Sequence, residues 1–375
     1  MEPVQDTNEL EIAKFHGWIS ELCDPDSDVI QLYNERYFDL IKEECLKKKS
    51  VNPFQSEDGL EIILKYANKY NSFGEIVNTK GPFFIQPENS DAILEGILNK
   101  NGIPHGFCRV LSPDEDLDFY GCFVNGVLFG NCWKGLEGGS FMMSDNCDFI
   151  GENTVYLYPD CRTAIIGTFD DKSHLRAGKV TEIVTMEKDQ ALNPEPVFLA
   201  PDVNSPLFEY DLSTETSISK TPLMPDPYEE LFVYVDQSTI PNAEEGLFAK
   251  IDIEAGTVIS FYNGVRSDVI DPDDKIWRNW PYKIALDEFW HLDIPEGLRT
   301  TDKYQATLGH KVCHSFEPNC EFDNFQHPRF GPIMCLVALA SIAEGEELLA
   351  NYKYELKVAP EWYVDLWNQH YDSSS

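Results

Sequence analysis

The feature that most constrains this chain is a glycine-punctuated unit that recurs. Leu94-Glu95-Gly96 is followed ten residues on by His105-Gly106, Phe119-Tyr120-Gly121 nine on by Phe129-Gly130, and Ile165-Ile166-Gly167 eleven on by Ala177-Gly178. An apolar residue, a spacer and a glycine, then a tight turn and a second glycine, at a period of about 25 residues, is the pattern of stacked β-hairpins. Glycine supplies the positive φ that such turns require. The stretch 135–149 departs from the pattern. A repeat sheet cannot bury its face alone, so the chain that follows is expected to cap it.

Around these units the texture changes. In residues 1–90, Leu10, Ile12, Phe15, Trp18, Ile19 and Leu22 fall near a 3.6 period, and two later stretches repeat it, predicting a helical extension with no sign of chemistry. The hairpins occupy 91–186. Residues 187–228 read as a linker, broken by Pro194, Pro196, Pro201, Pro206, Pro222, Pro225 and Pro227. In 229–354 the apolar runs are short (258–262, 284–286, 333–339 and 348–354) and are separated by charges and turn residues. Several small sheets are therefore predicted, not a doubly wound βαβ domain. The tail, 355–375, places Trp362, Tyr363, Leu366 and Trp367 on one face of a short helix.

Charge narrows the partners. The 375 residues carry 29 basic and 65 acidic side chains, a net −36. That field opposes direct contact with nucleic-acid phosphates and favours basic peptides. The ten cysteines include no Cys-x-x-Cys pair, so no metal site is expected. The opening Met-Glu-Pro-Val-Gln-Asp lacks the character of a signal peptide, and no window approaches a membrane span. Cytoplasm or nucleus is the expected compartment.

Chemistry concentrates in 308–319, Leu-Gly-His-Lys-Val-Cys-His-Ser-Phe-Glu-Pro-Asn. This is too polar for a core strand and too aromatic for a free loop. It reads as a shaped turn lining a pocket. Further on stands Asn351-Tyr352-Lys353-Tyr354, where extended backbone puts both tyrosines on one face. The two segments are expected to build one site. Ala243-Glu244-Glu245-Gly246-Leu247-Phe248 and Ser260-Phe261-Tyr262-Asn263-Gly264 precede them in order.

With His327-Pro328-Arg329-Phe330-Gly331-Pro332-Ile333 added, the set resembles the SET-domain protein lysine methyltransferases, specifically the type with MORN repeats ahead of the SET domain and a helical tail after it. The resemblance covers about 223–365 strongly and 92–185 more weakly, and does not reach 1–90. It implies a mainly β chain: a MORN-type stacked hairpin sheet, then a SET domain of several small sheets with a β-clip and a knot-like C-terminus, plus the helical segment at the start and the short helix at the end.

The resemblance also implies methyl transfer from S-adenosylmethionine to a lysine ε-amine. Tyr262, Tyr352 and Tyr354 would form the lysine channel, with Tyr352 closest to the transferred methyl. Ala243, Glu244, Glu245, Lys311, Cys313, His314, Trp362 and Leu366 would lie at the cofactor, and Tyr262, Asp273, Arg329, Met334 and Tyr352 along the peptide groove. Glu245 reads equally as a solvated turn acid, and Trp362 equally as a helix anchor. The implied substrates are the histone H3 tail, at its fourth-position lysine, and other basic proteins. The implied setting is a monomer in the nucleus and also the cytoplasm.

Several positions depart from the family. Cys313 stands where an asparagine usually helps hold the cofactor, and a thiol is a weak donor and poor acceptor. Phe322 replaces the tyrosine of a monomethylating relative, so room for a second methyl is expected. Leu366 and Met334 replace an acidic and a basic residue. A second reading, a SET and MORN scaffold without turnover, is favoured by Cys313 alone.

Overall fold

The structure, a computed structural model, describes residues 83–85, 93–98, 104–112, 117–124, 127–144, 149–188, 194–241, 243–268 and 281–372. The chain divides into two units, Met1–Glu209 and Tyr210–Ser375.

Among the described residues of the first unit, ten strands form one sheet in chain order, each antiparallel to the next. They are β1 (Phe83–Ile85), β2 (Ile93–Leu98), β3 (Pro104–Ser112), β4 (Leu117–Val124), β5 (Val127–Gly135), β6 (Phe141–Ser144), β7 (Gly151–Leu157), β8 (Thr163–Phe169), β9 (Leu175–Lys188) and β10 (Pro194–Phe198). Gly167 pairs with Gly178, and a Cβ at Gly178 would lie 2.6 Å from Ile165 Cγ2. The glycines there serve close backbone approach. The tight turns themselves use side-chain clips: Asp160 accepts from the amides of Arg162 (3.0 Å) and Thr163 (2.9 Å), letting Cys161 sit at φ 54°.

Two expectations are corrected at the sheet margins. Strand β1 lies inside the segment read as helical, the rest of which falls outside the described residues. Strand β10 lies inside the segment read as linker. Its prolines, Pro194 and Pro196, lack an N–H, which an edge strand tolerates. The irregular stretch 135–149 also contributes a full strand, β6, whose four residues are all buried.

The described residues of the second unit form three small sheets. Strands β11 (Val233–Gln237) and β12 (Glu245–Ala249) form a two-stranded sheet, and a bridge from Phe248 to Glu347 joins β12 to the chain leading into β20. Strands β14 (Val265–Asp268), β15 (Lys283–Ala285) and β16 (Trp290–Asp293) form a second sheet with β16 central. The third contains β13 (Val258–Tyr262), β17 (Cys313–His314), β18 (Cys320–His327), β19 (Gly331–Ala338) and β20 (Leu349–Ala350), in the order β13-β19-β18-β20-β17. A short helix, α1 (Glu229–Phe232), precedes β11, and α2 (Glu361–Asp372) closes the unit. This is the mainly β, several-sheet architecture the motifs imply.

Strand β20 enters between β17 and β18, parallel to both, although those two are neighbours in the chain. Asn319 locks it there. Its side chain donates to Glu347 O (2.9 Å) and accepts from the Leu349 amide (2.8 Å). Beneath lies a core of Leu247, Ile259, Val312, Leu336, Ile342 and Leu348, against which Phe322 and Tyr352 pack. Each such aliphatic side chain contributes about 1.5–3 kcal/mol on burial, enough to hold short strands that could not persist alone.

Candidate active site

Tyr262 ends β13, a strand buried at every residue. The turn at Gly309–Lys311 lies directly on that strand, and a Cβ at Gly309 would come within 2.6 Å of Phe261 O. Glu229 fastens both. Its carboxyl group accepts from Ser260 Oγ, from the Phe261 amide (2.8 Å) and from the Leu308 amide (2.9 Å). Burial pushes the pKa of Glu229 up to about 8, against those hydrogen bonds.

Four aromatic side chains meet at the end of this frame. Tyr262 stands edge-on to Phe322 with centroids 6.0 Å apart, and Tyr352 edge-on to Tyr354 at 5.8 Å. Burial raises the pKa of Tyr262 well above the usual phenol, and the nearby Tyr352 and Tyr354 raise it further. Tyr352 is raised likewise, and Tyr354 to about 12. All three remain neutral phenols at physiological pH. Tyr262 donates its hydroxyl proton to Tyr282 O, and Tyr352 donates to Val312 O at 2.7 Å. With their protons committed, both oxygens can offer only lone pairs to a guest. Such a cluster suits an N–H donor with a cationic or alkyl stem.

His314 adjoins it on β17. Its Nδ1 accepts from the Tyr352 amide at 3.2 Å, and burial lowers its pKa to about 4. The ring is therefore neutral with its proton on Nε2, and that buried N–H has no hydrogen-bond partner among the described residues. Helix α2 brings Tyr363 to 4.7 Å and Trp362 to 5.8 Å from the ring. Trp362 is 42 % exposed, a half-open aromatic face beside an unsatisfied donor. Leu366, one turn on, is also exposed.

Three residues before His314, Lys311 pairs through its Nζ with Glu245 at 2.6 Å, with the lysine buried and the acid partly exposed. Lys311 also donates to Arg299 O. Glu245 thus sits at the start of β12 in an ion pair, with its carboxylate still partly open to solvent. The carbonyl of Glu244 accepts from Gln237 Nε2 (2.7 Å), while the Ala243 amide closes a turn onto Ile240 O (3.1 Å). Cys313 Sγ lies 3.4 Å from Ser238 Oγ and 3.7 Å from Glu245 O. Ser238 in turn donates to Glu347 at 2.5 Å, and Thr239 donates to the same carboxylate through its amide (2.8 Å) and hydroxyl. Glu347 so ties the β11–β12 connection to the chain leading into β20.

Some expected residues are elsewhere. Arg329 is 1 % exposed, and its guanidinium donates to Met224 O (2.8 Å), Thr221 O (2.7 Å) and Thr221 Oγ1 (2.6 Å). It fastens the entering segment and faces no groove, which corrects its expected contact with a peptide. Met334 is buried, in register with Tyr262 and Asn324. Asp273 lies outside the described residues. The structure adds Glu229, Glu347 and Ser238, none of which carried a motif signal. It also adds His310, buried edge-on to Tyr262 at 6.3 Å, its pKa lowered by burial to about 3.

Against known proteins, a family model described as SET domain matches residues 244–353, and one described as Histone H3 K4-specific methyltransferase SET7 N-terminal matches residues 123–192. The chain is 40 % identical over 263 residues to Histone-lysine N-methyltransferase SETD7 of Halocynthia roretzi, covering 67 % of each chain. It is 29 % identical over 119 residues to Histone-lysine N-methyltransferase 2B of Homo sapiens, covering 30 % of this chain and 4 % of that protein. Among solved structures, an active polycomb repressive complex 2 in the basal state matches with TM-score 0.26 and 24 % identity, over 32 % of this chain and 15 % of that one. The ctPRC2 complex, in an autoinhibited conformation bound to S-adenosylmethionine, matches with TM-score 0.26 and 21 % identity, over 37 % and 17 %. Structural likenesses that slight carry no argument about this chain.

Proposed function

This chain belongs to the SET-domain histone-lysine methyltransferase family, and we propose that it methylates a lysine ε-amine of the histone H3 tail or another basic protein, using S-adenosylmethionine. By family analogy the target is the fourth-position lysine of H3, and the product is mono- and dimethyl-lysine. The observation that carries the reading is the commitment of the Tyr262 and Tyr352 hydroxyl protons to Tyr282 O and Val312 O.

A free lysine, with a pKa of about 10.4, is almost wholly protonated at pH 7 and cannot attack. Burial among aromatic rings disfavours the ammonium and lowers that pKa. Once the proton has left to water, the two phenol oxygens accept the remaining N–H bonds. The nitrogen lone pair is then left pointing along the third direction. Alignment of this kind is the largest acceleration available to a displacement with no general base. The aromatic faces steady the stem and exclude water.

S-adenosylmethionine supplies an electrophilic methyl on a sulfonium when bound. The residues present fit it: the orphaned Nε2–H of His314 is a donor awaiting an acceptor, and the half-open Trp362 face suits a flat heteroaromatic ring. The neutral His314 ring sets no positive charge against the sulfonium. Ala243, Glu244 and the Lys311–Glu245 pair would border the same site, with Cys313 giving a weaker hold than asparagine. Phe322 leaves the amine without a third hydroxyl, which favours a second methyl. Leu366 and Met334 bear on peptide choice. The net charge of −36 agrees with basic substrates. The setting we propose, by family analogy, is a monomer in the nucleus and also the cytoplasm.

The test is mass spectrometry of H3 and other basic peptides after incubation with S-adenosylmethionine, with calorimetry reading cofactor binding separately. Methylated lysine is expected, and Tyr352→Phe should cut turnover by about a hundredfold with cofactor affinity unchanged. Saturable cofactor binding with no transfer to any peptide would turn the reading to the scaffold.

A further inference from the structure

An open cleft of about 510 Å³ lies in the second unit, lined by residues 212–216, Arg266 and Trp290. None of these belongs to the aromatic cluster or the His314 surroundings. Arg266 is on β14 and Trp290 on the adjacent β16, while the 212–216 segment is tied to β14 by the Arg266 amide donating to Thr214 O at 3.0 Å.

Two side chains in its wall are buried with hydrogen-bonding capacity unused. Arg266 is 8 % exposed, and its Nη2 donates to Pro332 O at 2.6 Å and Phe330 O at 3.5 Å, but its Nε has no partner among the described residues. Ser213 is 2 % exposed, and its Oγ has none either. No carboxylate among the described residues comes within ion-pair distance of Arg266, in a chain with 65 acidic side chains. A buried guanidinium left without an anion is costly, and an orphaned buried donor adds to the cost. Burial lowers the pKa of Arg266, and Tyr210 and Asp287, which favour its charge, do not offset that desolvation.

The apolar part of the wall is Leu212 and Trp290, one exposed and one half-buried, and exposed Thr214, Glu215 and Thr216 complete the lining. We propose that this cleft binds a small organic carboxylate carrying a flat apolar body. The carboxylate would accept from Arg266 and Ser213, and the apolar part would lie against Trp290 and Leu212. A single guanidinium in a protein of this charge suits a monoanion better than a phosphate dianion. The exposed Glu215 at the rim acts in the same direction.

The probe is 3-phenylpropionate, titrated into the full chain by ligand-observed NMR with saturating S-adenosylhomocysteine present, beside 3-phenylpropionamide and inorganic phosphate. Saturation near about 1 mM is expected for a ligand of this size. The neutral amide should bind at least about tenfold more weakly, and Ser213→Ala should weaken the carboxylate by about three- to tenfold. Arg266→Lys, which keeps the charge but not the planar fork, should lose binding by a similar or larger factor. Ser213→Ala carries the test if the lysine variant fails to fold. Equal binding of the amide, tighter binding of phosphate, no saturation, or indifference to Ser213→Ala would each overturn the proposal.

Discussion

The backbone amide of Tyr352 donates to Nδ1 of His314, 3.2 Å away, so the residue proposed nearest the chemistry also sets the tautomer of its neighbour. That bond turns Nε2 into the donor and leaves it unsatisfied. His314→Ala removes the acceptor for Tyr352 and the donor proposed for the cofactor together. S-adenosylhomocysteine affinity measured by calorimetry should fall about ten- to a hundredfold. An affinity equal to the parent's would remove His314 from the cofactor site.

Glu229 gives the fold a pH signature of unusual sign. Its pKa rises from 4.5 to about 8 on folding, so the folded state binds more protons than the unfolded one across that window. Its stabilising contribution is full below pH 4.5 and is lost as pH rises through 8. His314 acts oppositely. With a folded value near 4 against an ordinary 6.5, its contribution is present above pH 6.5 and lost as pH falls toward 4. Glu229→Gln, an isostere of the protonated acid, should flatten the decline between pH 4.5 and 8 and leave the acid-side loss in place. Urea midpoints across pH 4 to 9 would read this directly, and an unaltered slope would mean that Glu229 is ionised when folded.

Cys313 faces two groups an amide could use better than a thiol can. Ser238 Oγ at 3.4 Å and Glu245 O at 3.7 Å are contacts at sulfur range, and burial pushes the thiol pKa up so that it stays neutral. Cys313→Asn supplies both a donor and an acceptor in that space. Cofactor affinity should tighten by about two- to tenfold, as one recovered hydrogen bond would give. Weaker binding in the variant would show that this neighbourhood is built around the smaller sulfur.

Legibility in the sequence followed the reach of each interaction. The hairpin sheet was readable because every strand pairs with its chain neighbour, so turn spacing alone reports it. Strand β6 escaped because all four of its residues are buried, which erases the alternation that marks a half-exposed strand. Strand β10 escaped because its prolines signal a break and an edge position forgives them. Tyr262, His314 and Tyr352, which we propose for the site, were marked by their motifs. The residues that hold them were not. Glu229 reaches Leu308 across 79 positions, Glu347 reaches Ser238 across 109, and Arg329 reaches Met224 across 105. No local pattern records contacts that distant. For the same reason the motif points Arg329 at a peptide groove, while the structure uses its guanidinium inside the fold.

Phe322 is where product choice can be tested. Its ring meets Tyr262 edge-on at 6.0 Å and packs on the core beside Tyr352, so its far edge reaches the same aromatic cluster. A hydroxyl added there by Phe322→Tyr would occupy space proposed for a methyl group. It would also offer a hydrogen-bonding partner that a dimethylated nitrogen, with fewer N–H bonds, satisfies less well. Shape discrimination of one methyl is worth about tenfold or more in specificity. The dimethyl to monomethyl ratio, read by mass spectrometry at matched turnover, should therefore fall about tenfold in Phe322→Tyr, with the first methylation retained. If the parent protein yields only monomethyl-lysine, or the variant leaves the ratio unmoved, Phe322 does not govern how many methyl groups the amine receives.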